Sequence, residues 1–464
     1  MTAFLDQLKD IVGPQGWTSD PQDMAPLLED WRGAYKGKTP MVVRPATTDE
    51  VVGVVRACAE ASVAIVPQGG NTSLCGAAIP DTSGDQILVS LSRMNRVRRV
   101  DAQNFSMEVE AGCVLSIAQD AAREAGRFLP LSLSAEGSCQ VGGTIATNAG
   151  GINVGRYGTA RSLVLGLEVV LADGSVVNSL RALRKDTAGY DLKQLFIGSE
   201  GTLGIITAAV LRLYPDPGET TTALIGLESA SRAVELLGHL KTALDDRIES
   251  FELVPAHVFE IVAEHVPAAA LPVEMDCPWY VLTESATGAS GELLEQALID
   301  AAEQGHIRDA VVAKNDSEAE ALWLSRHSIA EAEKKHGKSL KHDVSVPLSN
   351  MEEFLQRGDA LLASLRPDLK LIAFGHVGDG NLHYNVILPL GLSDEEWRSE
   401  GQRITGALYD LVDELGGSFS AEHGVGQSKK AWLSRYRGGT EFELMKILKK
   451  TLDPANILNP GKLF

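Results

Sequence analysis

The stretch Pro67-Gln68-Gly69-Gly70-Asn71-Thr72-Ser73 follows the short apolar run Ala64–Pro67, a strand candidate, and its reading governs that of the whole first half. Adjacent glycines permit positive φ and close backbone approach. Successive amides in such a loop form a concave nest for phosphates with no lysine required. The Asn, Thr and Ser add short hydrogen-bonding groups suited to a pyrophosphate or a flavin ring. Three similar loops follow: Gly137-Ser138-Cys139-Gln140-Val141-Gly142-Gly143-Thr144, Thr147-Asn148-Ala149-Gly150-Gly151 and Gly198-Ser199-Glu200-Gly201-Thr202-Leu203-Gly204. One glycine cluster means a turn; four between Pro67 and Gly204 point to a large phosphate-bearing cofactor. The chain lacks Gly-x-Gly-x-x-Gly and Gly-x-x-x-x-Gly-Lys-Ser/Thr, which sets aside a dinucleotide Rossmann domain and a P-loop ATPase. Gly424-Val425-Gly426-Gln427-Ser428-Lys429 has the wrong spacing for the latter.

Around these loops, β-prone runs alternate with helical ones. Strands are expected at 40–45, 64–67, 87–91, 106–111, 163–171 and 203–213. A helix is expected over 47–62, with Thr47 and Glu50 as a capping box. Pro215-Asp216-Pro217-Gly218 reads as a linker. Beyond it lie a strand at 221–227 and helices at 229–244, 290–303, 318–336 and 393–415. The expected class is α+β, with an N-terminal helical segment (1–37), a cofactor-binding domain (38–217) and a substrate- and metal-binding domain (218–464) whose C-terminal segment returns to the cofactor.

Composition narrows the function. The 464 residues carry 42 basic and 62 acidic side chains, a net charge of −20, which opposes nucleic-acid binding. Cys58, Cys75, Cys113, Cys139 and Cys277 lack metal or redox spacing and read as reduced thiols. The first 31 residues contain no arginine and six acidic residues, and no apolar run reaches the roughly 18 residues of a membrane span. A cytoplasmic location is expected.

All ten histidines lie between His239 and His423. In Phe374-Gly375-His376-Val377-Gly378-Asp379-Gly380-Asn381-Leu382-His383, two stand on either side of a glycine turn, with β-prone flanks Leu369–Ala373 and Tyr384–Leu388. A hairpin symmetric about Gly378-Asp379-Gly380-Asn381 sets His376 opposite His383, with Cβ atoms about 4.5–5.5 Å apart. With Glu422 from Ala421-Glu422-His423-Gly424 they make a three-ligand metal site with an open position, leaving His423 for proton transfer. Ligand type alone does not separate zinc, iron and manganese.

From about Pro45 to Phe464 the ordered set resembles the FAD-binding flavoproteins of the vanillyl-alcohol oxidase and p-cresol methylhydroxylase type. Its parts are Val66–Ser73, Gly137–Gly151, Lys185–Lys193, Phe196–Thr207, the histidine hairpin and Glu422-His423-Gly424. Within that type it is most similar to the D-2-hydroxyglutarate dehydrogenase branch, which Tyr190-Asp191-Leu192-Lys193 favours over the neighbouring D-lactate and glycolate branches. The resemblance implies a two-subdomain FAD fold followed by an α+β substrate domain. It implies cofactor contacts from Pro67, Gly69, Gly70, Asn71, Thr72, Ser73, Pro130, Gly137, Ser138, Gly142, Gly143, Thr147, Asn148, Gly151, Tyr157, Gly158, Glu200, Gly204, Ile205 and Asn459. The absence of histidine before His239 makes the FAD non-covalent unless a cysteine substitutes.

The implied reaction oxidises a small anionic D-2-hydroxy acid to the 2-oxo acid. His376, His383 and Glu422 hold a divalent metal, zinc fitting because no change of oxidation state is needed. His423 binds substrate and serves as general base, and FAD accepts hydride. Arg326 and Lys341 are the candidates for binding substrate carboxylate, with Asn385 beside them on the face of His383. Ala330 stands four residues after Arg326 where the resemblance leads one to expect a hydroxyl, which opens the substrate range toward D-malate. The rival readings are a D-lactate or glycolate dehydrogenase and a flavin-binding subunit of a multi-subunit glycolate oxidase. The expected acceptor is an electron-transfer flavoprotein or quinone, and the default assembly a homodimer.

Overall fold

Two kinds of strand pattern fold into two kinds of sheet. The computed structural model describes residues 2–286 and 291–464 and divides into two units. The first comprises Met1–Gly150, Gly158–Asp216 and Glu422–Phe464; the second comprises Gly151–Tyr157 and Pro217–Ala421.

In the first unit, Val42–Val43, Ile87–Ser90 and Ile65–Gln68 pair in parallel, and Trp17–Thr18 adds an antiparallel edge beside Val42–Val43. Residues 1–37 thus contribute a strand to this sheet. Near-continuous apolar runs suit parallel strands covered on both faces, and the Ile87–Ser90 strand is wholly buried. The helix Thr48–Ala61 supplies the crossover. Its cap is half of the expected box: Thr47 accepts the Glu50 N–H at 3.1 Å, while the Glu50 carboxylate takes the Ala46 N–H at 2.8 Å. A second, antiparallel sheet runs Val97–Asp101, Ser106–Glu110, Ile205–Arg212, Val164–Val170, Val176–Asn178. The tail rejoins the first sheet. Ile65 donates to the Ile457 carbonyl and Asn459 to the Ile65 carbonyl, both at 2.7 Å.

The second unit begins where Pro215-Asp216-Pro217-Gly218 interrupts the pattern. Its larger sheet runs Ile248–Pro255, Trp279–Ser285, Thr221–Leu227, Asp309–Val312, all antiparallel. The helices Ala256–His265, Asp316–His327 and Ile329–His336 share a core of Val258, Phe259, Val262, Leu322, Ile329 and Ala332. The single helix expected over 318–336 is two, meeting at Ser328. Glu292–Glu303 forms the helix expected from 290; Ser290 lies outside the described residues. Asp394–Glu414 carries a complete capping box between Ser393 and Glu396.

The histidine hairpin forms, but in another register. Lys370–Phe374 pairs with Asn381–Ile387 so that Phe374, not His376, faces His383. The turn explains the offset. Gly375 leaves the ladder at φ +151° and exchanges both backbone hydrogen bonds with Leu253, at 2.9 and 3.0 Å. A 3₁₀ turn, Val377–Asp379, and left-handed Gly380 then close the loop.

Candidate active site

The glycine loops of the first unit line a cleft that opens to solvent. Of the residues expected at the cofactor, Pro67, Gly69, Gly70, Asn71, Thr72, Ser73, Gly142, Gly143, Thr147, Glu200, Gly204, Ile205 and Asn459 line it. Pro130, Gly137, Ser138, Asn148 and Gly158 stand outside its lining, and Gly151 and Tyr157 belong to the second unit. There the Tyr157 hydroxyl donates to Glu249 at 3.1 Å. Asn148 uses its side-chain oxygen to accept the Arg161 N–H at 3.0 Å.

Several glycines serve contact between loops. A Cβ on Gly70 would lie 2.0 Å from the Ser138 carbonyl oxygen, and one on Gly201 (φ +71°) would lie 2.5 Å from the Pro67 ring. Gly143 differs: a Cβ there meets no protein atom within 4 Å. Asn71 is left-handed at φ +55°, and its amide donates to the carbonyls of Pro26 and Glu29, fixing the loop to the N-terminal segment.

Sequence reasoning missed Gln68 and Gln140, which also line the cleft. Both carry a buried carbonyl oxygen with no hydrogen-bond partner, as does Asn459. The Gln68 amide nitrogen holds Leu27 and Ala78 carbonyls, and that of Asn459 holds Ala77 and Glu200 carbonyls, which directs the oxygens elsewhere. A buried acceptor demands a donor. FAD brings such donors in its flavin N3–H, ribityl hydroxyls and adenine amine. Cys139, also in the lining, is pushed up to about 12, chiefly by burial and further by the Glu136 charge. Its thiol is therefore a poor nucleophile for a flavin linkage.

Glu200 sets the chain that carries His423. It is buried at φ +52° and accepts the N–H groups of Val425 and Gly426 at 2.7 and 2.8 Å. Burial raises its carboxyl above the ordinary range, against the lowering effect of those two bonds and of Lys429. Gln427 adds bonds to the Cys75, Gly76 and Ile79 carbonyls. Glu422 and His423 thus leave a pinned loop into the cleft lining, with His423 Nε2 lying 3.4 Å from the Glu422 carboxylate.

In the second unit, the His376 and His383 rings meet edge to face, centroids 5.5 Å apart. The bond between Gly375 and Leu253 brings His376 Nδ1 onto buried Glu252. Glu252 also takes Arg326 Nε and Nη2 at 2.8 and 2.6 Å. Burial opposes its charge, but His376 and Arg326 outweigh burial and hold the carboxyl well below the ordinary range. Arg326 further stacks over Phe374 at 4.8 Å. Lys341 pairs with buried Glu333, which accepts from Asn385 at 3.0 Å. Asp343 faces His383 across the ladder and accepts from Asn381 at 3.0 Å, while its carbonyl takes the N–H of Ala421, the residue before Glu422. Ala330 is exposed. Glu252, Glu333 and Asp343 carried no sequence signal, being isolated acids in unremarkable strands and helices.

Comparisons with known proteins agree with this architecture. A family model described as FAD binding domain matches residues 39–179, and one described as FAD linked oxidases, C-terminal domain, matches 216–463. The chain is 38% identical to the mitochondrial D-2-hydroxyglutarate dehydrogenase of Bos taurus, over 97% of this chain and 82% of that one. It is 38% identical to the D-2-hydroxyglutarate dehydrogenase of Xanthomonas citri pv. viticola, over 96% and 93%. The structure of p-cresol methylhydroxylase with bound substrate superposes with a TM-score of 0.74 at 17% identity, covering 100% of this chain and 96% of the other. The mixed helix-and-sheet architecture is the two-domain FAD fold of that enzyme. This chain belongs to the family of FAD-linked oxidoreductases that includes the D-2-hydroxyglutarate dehydrogenases.

Proposed function

We propose that this protein oxidises D-2-hydroxyglutarate, and D-malate beside it, to the 2-oxo acid. The observation that carries the reading is near-full-length similarity to proteins named D-2-hydroxyglutarate dehydrogenase. FAD, when bound, supplies the hydride acceptor. The cleft holds it without a covalent bond, through the backbone of Gly69–Ser73 and of Gly142 and Gly143, with Gln68, Gln140 and Asn459 as acceptors for its N–H and O–H groups.

His423 accepts the hydroxyl proton and binds substrate. Arg326 binds substrate carboxylate as a planar fork and Lys341 as a point charge; Asn385 orients the same group. A divalent metal, zinc in our reading, takes His376, His383 and Glu422 as ligands. The residues present suit it, since Glu252 on His376 Nδ1 is the outer-shell pairing that metal-bound imidazoles use. Asp343 opposite His383 is a further oxygen donor. Chelation is expected to abolish turnover and zinc or manganese to restore it; full activity in a metal-free sample refutes the metal assignment.

The electron acceptor is an electron-transfer flavoprotein or quinone and the assembly a homodimer, tested by reoxidation rates with each acceptor against oxygen and by light scattering. Among the described residues no helix is long and apolar enough to cross a membrane. The five buried cysteine thiols suit a reducing compartment, here proposed as the cytoplasm. Fractionation with compartment markers tests that location, and recovery outside the cytoplasmic fraction refutes it.

The deciding experiment is anaerobic stopped-flow absorbance with D-2-hydroxyglutarate, D-malate, D-lactate and glycolate. Fast bleaching of the flavin band by the diacids is expected. Bleaching by lactate or glycolate alone moves the chain to those dehydrogenases, and no bleaching in the FAD-loaded protein overturns the substrate assignment.

A further inference from the structure

The helices Ala256–His265 and Ile329–His336 pack on one another and end side by side, each on a histidine. His265 Nε2 and His336 Nδ1 lie 2.9 Å apart, with ring centroids at 5.1 Å. A carboxylate oxygen of Glu264 stands 3.8 Å from the same His265 nitrogen. The three ligand atoms fall within 4.8 Å of one another, on partly or fully exposed side chains that an ion can reach.

We propose that Glu264, His265 and His336 form a second divalent-metal site, of the borderline transition-ion class to which zinc belongs. Two imidazoles and a carboxylate suit zinc, with solvent as fourth ligand. A tetrahedral ion with Zn–N of about 2.0–2.1 Å sets its two nitrogens about 3.3 Å apart. The observed 2.9 Å pair needs to open by only a few tenths of an ångström. Binding replaces the hydrogen bond between the two rings: through water, the bridging proton moves to the other nitrogen of its own imidazole, so both ligands stay neutral and no redox change is involved. Two helix C-termini present partial negative charge to the ion. Lys335, which donates to the His265 carbonyl at 3.2 Å, is also paired with Glu331 at 2.7 Å. The ion would staple the ends of two core helices.

The test counts zinc bound to the full-length protein, after removal of metal and equilibration with buffered zinc, in the parent and in His336→Gln, Glu264→Gln and His383→Gln. His336→Gln is expected to bind one equivalent fewer than the parent with an unchanged circular dichroism spectrum. Glu264→Gln is expected to weaken that equivalent about tenfold. Equal stoichiometry and affinity in the parent, His336→Gln and Glu264→Gln overturn the proposal. A parent with one zinc that only His336→Gln removes supports this site and refutes zinc at His376 and His383. A parent whose single zinc is lost only in His383→Gln does the reverse.

Discussion

Replacing Glu252 by glutamine tests the ionic core of the second unit. The side chain is sealed from solvent, at 0% exposure, and bridges the Arg326 guanidinium through Oε2 and the His376 ring through Oε1. Glutamine keeps the shape but removes the charge, and its NH₂ must face a donor on one side. Arg326, itself 9% exposed, is left without its counter-charge. Removing one partner of a buried pair costs about 3–5 kcal/mol, a large part of the 5–15 kcal/mol typical of a domain. At roughly 2–4 °C per kcal/mol for a unit of this size, the unfolding midpoint falls by about 6–20 °C. Thermal and urea unfolding of the full-length protein, followed by near-ultraviolet circular dichroism, measures this. The double replacement Glu252→Leu with Arg326→Met removes both charges together and is expected to recover all but about 1–2 kcal/mol. A Glu252→Gln protein within about 0.5 kcal/mol of the parent, or a double variant no better than the single, would refute the reasoning.

Acid should expose the same group. The carboxyl of Glu252 is depressed below its ordinary 4.5, so its stabilisation is complete above that pH and is lost as pH falls toward the folded-state value; Glu252→Gln should flatten this acid limb in a pH series of urea midpoints. His423→Ala should leave the flavin spectrum intact and slow substrate-driven bleaching by about 10²–10⁴, with unchanged bleaching excluding His423 as the base. Two glycine variants should separate scaffold from ligand contact. Gly70→Ala, aimed at the Ser138 carbonyl from 2.0 Å, should cost about 1–3 kcal/mol in the FAD-free protein. Gly143→Ala, whose Cβ meets nothing, should leave FAD-free stability within about 0.5 kcal/mol and weaken FAD binding instead; equal FAD affinity would remove Gly143 from the cofactor site.

What the sequence determined by itself was whatever local chemistry dictates. Glycine-rich loops between strand runs announced the cleft, since few other residues tolerate that backbone. Thr47 and Pro215-Asp216-Pro217-Gly218 marked boundaries because caps and proline turns act over a few residues. The interacting His376 and His383 were legible as a pair, although their cross-strand register was not. That register depended on Gly375 bonding to Leu253, 122 positions earlier, a contact with no local signature. The same holds for Glu252 beneath His376 and Arg326, Glu333 beneath Lys341 and Asn385, and Glu200 under the loop after His423. Each is an acid whose meaning comes from burial, and a buried charge persists only where distant partners compensate it. Tertiary structure also decided which glycines touch other loops and which open onto the cleft, because that depends on which backbone packs opposite rather than on the residue itself.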